Sequence, residues 1–83
     1  MTRAKLDPND PAVAQVKAFV AYLRATRLRA GISQESLGYK MYPLRAVSDA
    51  QSLISEWETG VSMPEAVSLV RWAWALGVEV ELH

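Results

Sequence analysis

The chain has 83 residues, of which 51% are hydrophobic and 22% charged, and it carries nine basic and nine acidic side chains. This length accommodates one small domain, and the composition is that of a globular protein rather than a disordered one. The absence of cysteine excludes disulfides, thiolate zinc sites and cysteine nucleophiles.

No membrane or secretory segment is predicted. The densest apolar stretch, 66–78, contains Arg71 and is too short to cross a bilayer. The N-terminal residues lack the apolar segment of a secretory signal. We therefore expect a cytoplasmic protein with no membrane partner.

The net charge of zero hides a strong polarisation along the chain. Residues 1–45 contain eight of the nine Lys and Arg residues and three acids, whereas residues 46–83 contain one base and six acids. The basic half could face phosphate groups, although ordinary solvated charge explains the pattern equally well.

The first predicted elements are an arm and a long helix. Residues 1–10 form a polar arm that we expect to be flexible. Asp10 as N-cap and Pro11 at the first helical position predict a helix that ends near Gly31. Its apolar face, with side chains three and four residues apart, continues to Arg27. A core-facing arginine requires a partner, because a lone buried charge is costly.

A short second helix and a third helix follow. The second is predicted over 34–41, with Ser33 as its N-cap. Ser48 and Gln51 have the spacing of a capping box, which predicts a third helix over 49–58 that ends at the following Thr-Gly pair.

The fourth helix and the tail complete the chain. Ser62 and Glu65 are spaced as another capping box, and the helix should continue to Leu76, before a glycine. The tail, 78–83, alternates apolar and polar residues as a short strand would. The helical domain is thus expected over 11–77.

Four motifs occur in a familiar order, namely LRATRLRAGISQESLG, LISEWETG, MPEAVSLV and WAWALGV. Together they resemble the lambda-repressor/Cro-type (XRE) helix-turn-helix family over about residues 23–78. The resemblance implies an all-α, compact bundle of four to five helices that binds double-stranded DNA. It also implies that Gln34 holds the DNA backbone, that Gly38 lies where two helices cross closely, and that an Arg–Glu pair joins the first and third helices.

The third helix has two faces with different expected roles. Ile54, Trp57 and Glu58 lie within one helical turn on the inner face, which predicts a partly buried salt bridge between Glu58 and Arg27. The outer face carries four polar side chains that could read bases in the major groove: Gln51, Ser52, Ser55 and Glu56.

Each outer side chain has an expected contact with a DNA base and an alternative role. Glu56 could accept a hydrogen bond from cytosine N4, or it could simply be solvated. Gln51 could pair with adenine, but a capping role beside Ser48 would occupy the same amide. Ser52 and Ser55 can contact either base or phosphate.

The link between the second and third helices departs from the family pattern. Residues 39–50 hold about six more residues than the usual tight turn. Within this segment Lys40 and Arg45 are candidate phosphate-binding residues, interleaved with Tyr39 and Tyr42. The alternative is a loop whose tyrosines pack on the core.

The fourth helix carries two apolar stripes. Leu69, Trp72, Ala73 and Leu76 form the expected core-facing stripe, and Val67, Val70 and Trp74 form a second stripe on a different side. A homodimer interface is the expected reason for it. Alternatively the arm or the tail covers the stripe, or residues 78–83 pair as an edge strand across a dimer axis.

No enzyme is expected, because the chain has one histidine, at its C-terminus, and no recognisable metal, triad or phosphate-loop motif. No cofactor or small-molecule ligand is expected either. The favoured function is a small repressor or Cro-like regulator that occupies an operator as a homodimer. The alternative is a helix-turn-helix module repurposed as a protein-binding adaptor, antitoxin-like or anti-regulator. An architectural DNA-bender is less favoured, since arm and tail lack dense basic charge.

Overall fold

A computed structural model of the protein describes residues 9–80, which fold into four helices and contain no strand. The predicted arm therefore lies almost wholly outside the described residues, as do residues 81–83. The four helices are α1 (Pro11–Arg29), α2 (Gln34–Met41), α3 (Val47–Thr59) and α4 (Ala66–Ala75).

The core is built from one apolar face of each helix. The predicted face of α1 turns inward, and Leu23 is completely buried. On α4 the predicted inner face is likewise confirmed, with Trp72 and Ala73 fully buried. The main hydrophobic cluster consists of Val20, Leu23, Leu37, Met41, Ile54, Trp57, Trp72 and Ala73.

The close crossing of α2 and α3 occurs at Gly38. A β-carbon added to this buried glycine would lie 2.9 Å from the β-carbon of Ala50, which is closer than two carbon atoms normally approach. A side chain here would push the two helices apart. The expectation of a small residue at this crossing is therefore confirmed in the geometry.

Several predicted helix ends are also confirmed. The Asp10 carboxylate accepts a hydrogen bond from the Ala12 amide at 2.8 Å, and the Ser33 hydroxyl accepts one from the Ser36 amide at 3.0 Å. Gly60 ends α3 in a left-handed conformation, with φ of 82°.

Both predicted capping boxes are wrong. α3 begins at Val47 because the preceding Ala46 has extended backbone, and no side chain caps this end. Ser48 therefore lies inside the first turn. α4 begins at Ala66 because Glu65 has extended backbone, and no side chain caps this end. The proline before Glu65 disfavours helical backbone in the residue that precedes the proline, so a helix starting after Ser62 is not favoured.

The predicted C-terminal strand is not observed over residues 78–80, which are neither helix nor strand. A strand requires a partner, and the described part of the chain contains no other strand. Val78 and Val80 instead pack against the core cluster. Within the described residues, no helix is long and apolar enough to span a membrane.

Candidate nucleic-acid interface

The predicted salt bridge between α1 and α3 is present. The Arg27 guanidinium donates from Nε to Glu58 Oε2 and from Nη2 to Glu58 Oε1, both at 2.7 Å. This bidentate geometry is the strongest form of the arginine–carboxylate contact. Only 1% of the Glu58 side chain is exposed, so the carboxylate is withdrawn from any ligand on the outside of α3.

Two further side chains reach the same carboxylate. Gln34, the first residue of α2, donates its side-chain amide to Glu58 Oε1 at 3.1 Å. Arg24, one turn before Arg27 on α1, places its Nε 3.6 Å from the same oxygen. The (i, i+3) spacing of the two arginines is a sequence signal that Arg24 lies near Arg27, but the apolar periodicity of α1 points only to Arg27 as inward-facing.

The Glu58 carboxylate thus connects α1, α2 and α3. Arg27 also donates from Nη1 to the carbonyl of Ile32 at 2.8 Å, which fixes the loop between α1 and α2. The outer face of α3 is consequently held from behind by hydrogen bonds to two other elements. These hydrogen bonds fix the backbone of α3, and a fixed backbone holds the exposed side chains of the helix in defined positions.

An open groove follows the outer face of α3 beside the start of α2. Ser52 and Glu56 are exposed, and Ser55 is half-buried. The groove brings together all four predicted base-reading residues and one predicted phosphate-binding residue. Its lining comprises Gln34, Ser48, Gln51, Ser52, Ser55 and Glu56.

The corrected start of α3 changes the chemistry of this groove. Gln51 is exposed, and its side-chain amide makes no hydrogen bond within residues 9–80. In particular, it does not cap α3. Ser48, predicted to be an N-cap, instead presents its hydroxyl in the groove one turn before Ser52. Both side chains are free to donate and accept hydrogen bonds.

The outer surface of α3 carries acidic side chains and no basic side chain. Asp49 and Glu56 are both exposed, and α3 contains no lysine or arginine. A surface of this kind repels phosphate and accepts hydrogen bonds, which suits amino groups at base edges better than the DNA backbone.

The link between α2 and α3 covers only residues 42–46, because residues 39–41 belong to α2 and residues 47–50 to α3. The predicted extended link over residues 39–50 is therefore not confirmed. Tyr42 packs against the core cluster, and its hydroxyl is 2.8 Å from the Ser68 hydroxyl of α4. The Arg45 guanidinium stacks over the Tyr42 ring at 4.6 Å from the ring centre. Tyr42 thus has the packing role foreseen as the alternative, whereas Tyr39 is exposed.

The three predicted phosphate-binding residues do not lie together. Lys40 is exposed in the last turn of α2, and Arg45 is exposed beside Tyr42. Neither lines the groove along α3, where Gln34 is found. A phosphate role for Lys40 and Arg45 remains a prediction.

The second apolar stripe of α4 is largely uncovered by the described chain. Val67 is 67% exposed and Trp74 69%, while Val70 between them is partly buried. The described tail does not cover this stripe, since Val78 and Val80 pack on the core. Arg71 lies beside the stripe and donates to the Met41 carbonyl at 3.3 Å.

Comparison of the chain with protein-family models, with curated proteins and with solved structures finds no match. Among residues 9–80, no group of histidine and acidic side chains is placed to hold a metal ion.

Proposed function

We propose that this protein is a sequence-specific regulator that binds double-stranded DNA, with α2 and α3 as a helix-turn-helix of the lambda-repressor/Cro type. The observation that carries the proposal is the uncovered polar groove along α3, which is held in place from behind by the Arg27–Glu58 pair. The motif resemblance adds to this, and it is the source of the expectation that α3 is the reading helix.

In this proposal the outer face of α3 enters the major groove. Gln51 pairs with adenine and Glu56 accepts a hydrogen bond from cytosine N4, while Ser52 and Ser55 contact base or phosphate. Ser48 adds a contact at the start of the helix. The acidic character of α3 lowers affinity for DNA in general and increases discrimination between bases.

The link of residues 42–46 gives the motif its proposed difference from the family. This link and the first turn of α3 together take the place of the usual tight turn. The link is also tied to α4 through the contact between Tyr42 and Ser68. Lys40 and Arg45 would contact phosphates flanking the reading helix, as Gln34 would on the other side.

The exposed stripe of α4 is the proposed dimer interface. Val67, Val70 and Trp74 form an apolar surface that a second copy would cover through a two-fold axis. A dimer presents two reading helices and therefore selects a palindromic site. The protein would act in the cytoplasm by occupying an operator, without a small-molecule ligand.

The test is selection of bound duplexes from a random-sequence pool, followed by sequencing. The proposal predicts enrichment of one discrete, palindromic site by the wild-type protein. Gln51→Ala and Glu56→Ala should each change the preference at one base position of every half-site. A pool that remains random after selection at low salt would contradict the proposal.

The second candidate function is a protein-binding adaptor built on the same helices. The fully exposed Leu44 in the link and the exposed Trp74 favour it, since both offer apolar contacts to a protein. Capture of one specific partner, abolished by Leu44→Glu and by Trp74→Glu, together with no retention on DNA, would establish this alternative.

A further inference from the structure

Arg24 is the exposed member of the cluster around Glu58. More than half of its side chain, 54%, is accessible to solvent, compared with 1% for Glu58 and 8% for Arg27. Its Nε lies 3.6 Å from Glu58 Oε1, which is close enough to orient the guanidinium by charge but too far for a hydrogen bond. Its N–H donors are therefore available to a ligand.

The cluster has an excess positive charge, and that charge is on Arg24. Glu58 is neutralised by the bidentate contact with the buried Arg27, and Gln34 contributes a neutral amide to the same carboxylate. Because Arg27 is buried, an anion arriving from solvent meets the guanidinium of Arg24 first.

Arg24 does not line the α3 groove itself, but it is adjacent to Gln34, which does. Gln34 lines that groove and donates to the same carboxylate oxygen that Arg24 approaches, so the two side chains are neighbours. Arg24 itself lines a cleft between α1 and the end of α3, together with Lys17, Thr59 and Gly60. The segment between α3 and α4, residues 60–65, contains no lysine or arginine that could serve this edge.

We propose that Arg24 binds a phosphate of the DNA backbone at the edge of the groove beside Gln34. The inference rests on the proposed function and adds a contact from α1 to it. A planar guanidinium can donate two parallel hydrogen bonds to a phosphate, and Glu58 keeps it directed along this edge. Arg24 would compensate for the absence of basic residues on α3 and in the segment that follows it.

The test uses the duplex that the wild-type protein selects, labelled with a fluorophore, and measures binding over a series of salt concentrations. Arg24→Ala should weaken binding about tenfold for each bound protomer, which is the scale of one charge-assisted hydrogen-bonded contact. It should lower the slope of log affinity against log salt by about one unit per bound protomer, about two for the proposed dimer, and leave base preference unchanged. Arg24→Lys should retain most of the slope, because it retains the charge.

Arg29→Ala is the matched control, since Arg29 is an exposed arginine of α1 outside the Glu58 cluster. It should change the affinity by less than about twofold, because an exposed charge without a phosphate contact acts only through the screened field. If Arg24→Ala changes affinity and slope no more than Arg29→Ala does, the inference is overturned while the proposed function stands. If the wild-type protein retains no duplex at all, both are overturned.

Discussion

Replacing Arg27 with methionine should be among the most destabilising single changes in this domain. The substitution removes both hydrogen bonds to Glu58 and the bond to the Ile32 carbonyl, and it leaves the carboxylate buried. Breaking a buried ion pair by removing one partner costs about 3–5 kcal/mol of folding free energy. Arg24 and Gln34 remain near the carboxylate, so we expect the lower end, about 3 kcal/mol.

This loss is large for a chain of 83 residues, because typical stabilities per residue give such a domain a total of about 4–12 kcal/mol. It corresponds to a decrease in melting temperature of about 12–24 °C. Replacing both partners with apolar residues, as in Arg27→Met with Glu58→Leu, removes the stranded charge. The double variant should therefore be more stable than Arg27→Met alone.

Urea unfolding, monitored by circular dichroism, measures the free energy of unfolding of the wild type, the two single variants and the double variant of this double-mutant cycle. We expect a coupling energy of about 2 kcal/mol or more between the two positions. Arg29→Met, on the exposed side of α1, serves as control and should change stability by less than about 0.5 kcal/mol. Additive losses, or a loss below about 1 kcal/mol for Arg27→Met, would refute the role given to this pair.

Three further predictions concern α3 and its neighbours. Glu56→Gln should raise affinity for mixed-sequence DNA by removing phosphate repulsion, and it should weaken cytosine preference in a selection experiment; unchanged affinity and preference would place Glu56 outside the interface. Trp74→Glu should convert the dimer to a monomer in sedimentation experiments. Val61→Glu, at a similarly exposed position on the segment after α3, should leave the dimer intact. Equal sedimentation of the two variants would exclude the α4 stripe as the dimer interface. Gly38→Val should lower the stability by about 1–3 kcal/mol in thermal unfolding, because its side chain collides with Ala50; a neutral result would show that α2 and α3 can separate freely.

The helices themselves could be predicted because their signals are local. Asp10 and Ser33 have side chains that satisfy free amides of the first turn, and the apolar periodicity of α1 and α4 identifies the buried face. Helical phase alone placed Arg27 and Glu58 on inner faces. Their pairing then followed because neither charge can be buried by itself.

Other features could not be predicted because they depend on contacts between distant residues or on backbone conformation. Tyr42 and Ser68 are 26 positions apart, and nothing local indicates their contact. The start of α3 differs from the prediction because Ala46 adopts extended backbone without any side-chain cap, while Ser48, a residue type that often caps helices, lies inside the helix. The arrangement of Arg24 and Gln34 around one carboxylate required three helices to be in place.

The position of DNA on this protein is best measured by nuclear magnetic resonance, with the isotopically labelled protein titrated by the duplex that it selects. We expect DNA to contact α3, with the largest chemical-shift changes at the backbone amides of Gln51, Ser52, Ser55 and Glu56 and at the side-chain amide of Gln51. The side-chain resonances of Arg24 and Gln34 should respond as well. Chemical-shift changes confined to α4 and the link, with α3 unaffected, would contradict the assignment of α3 as the reading helix.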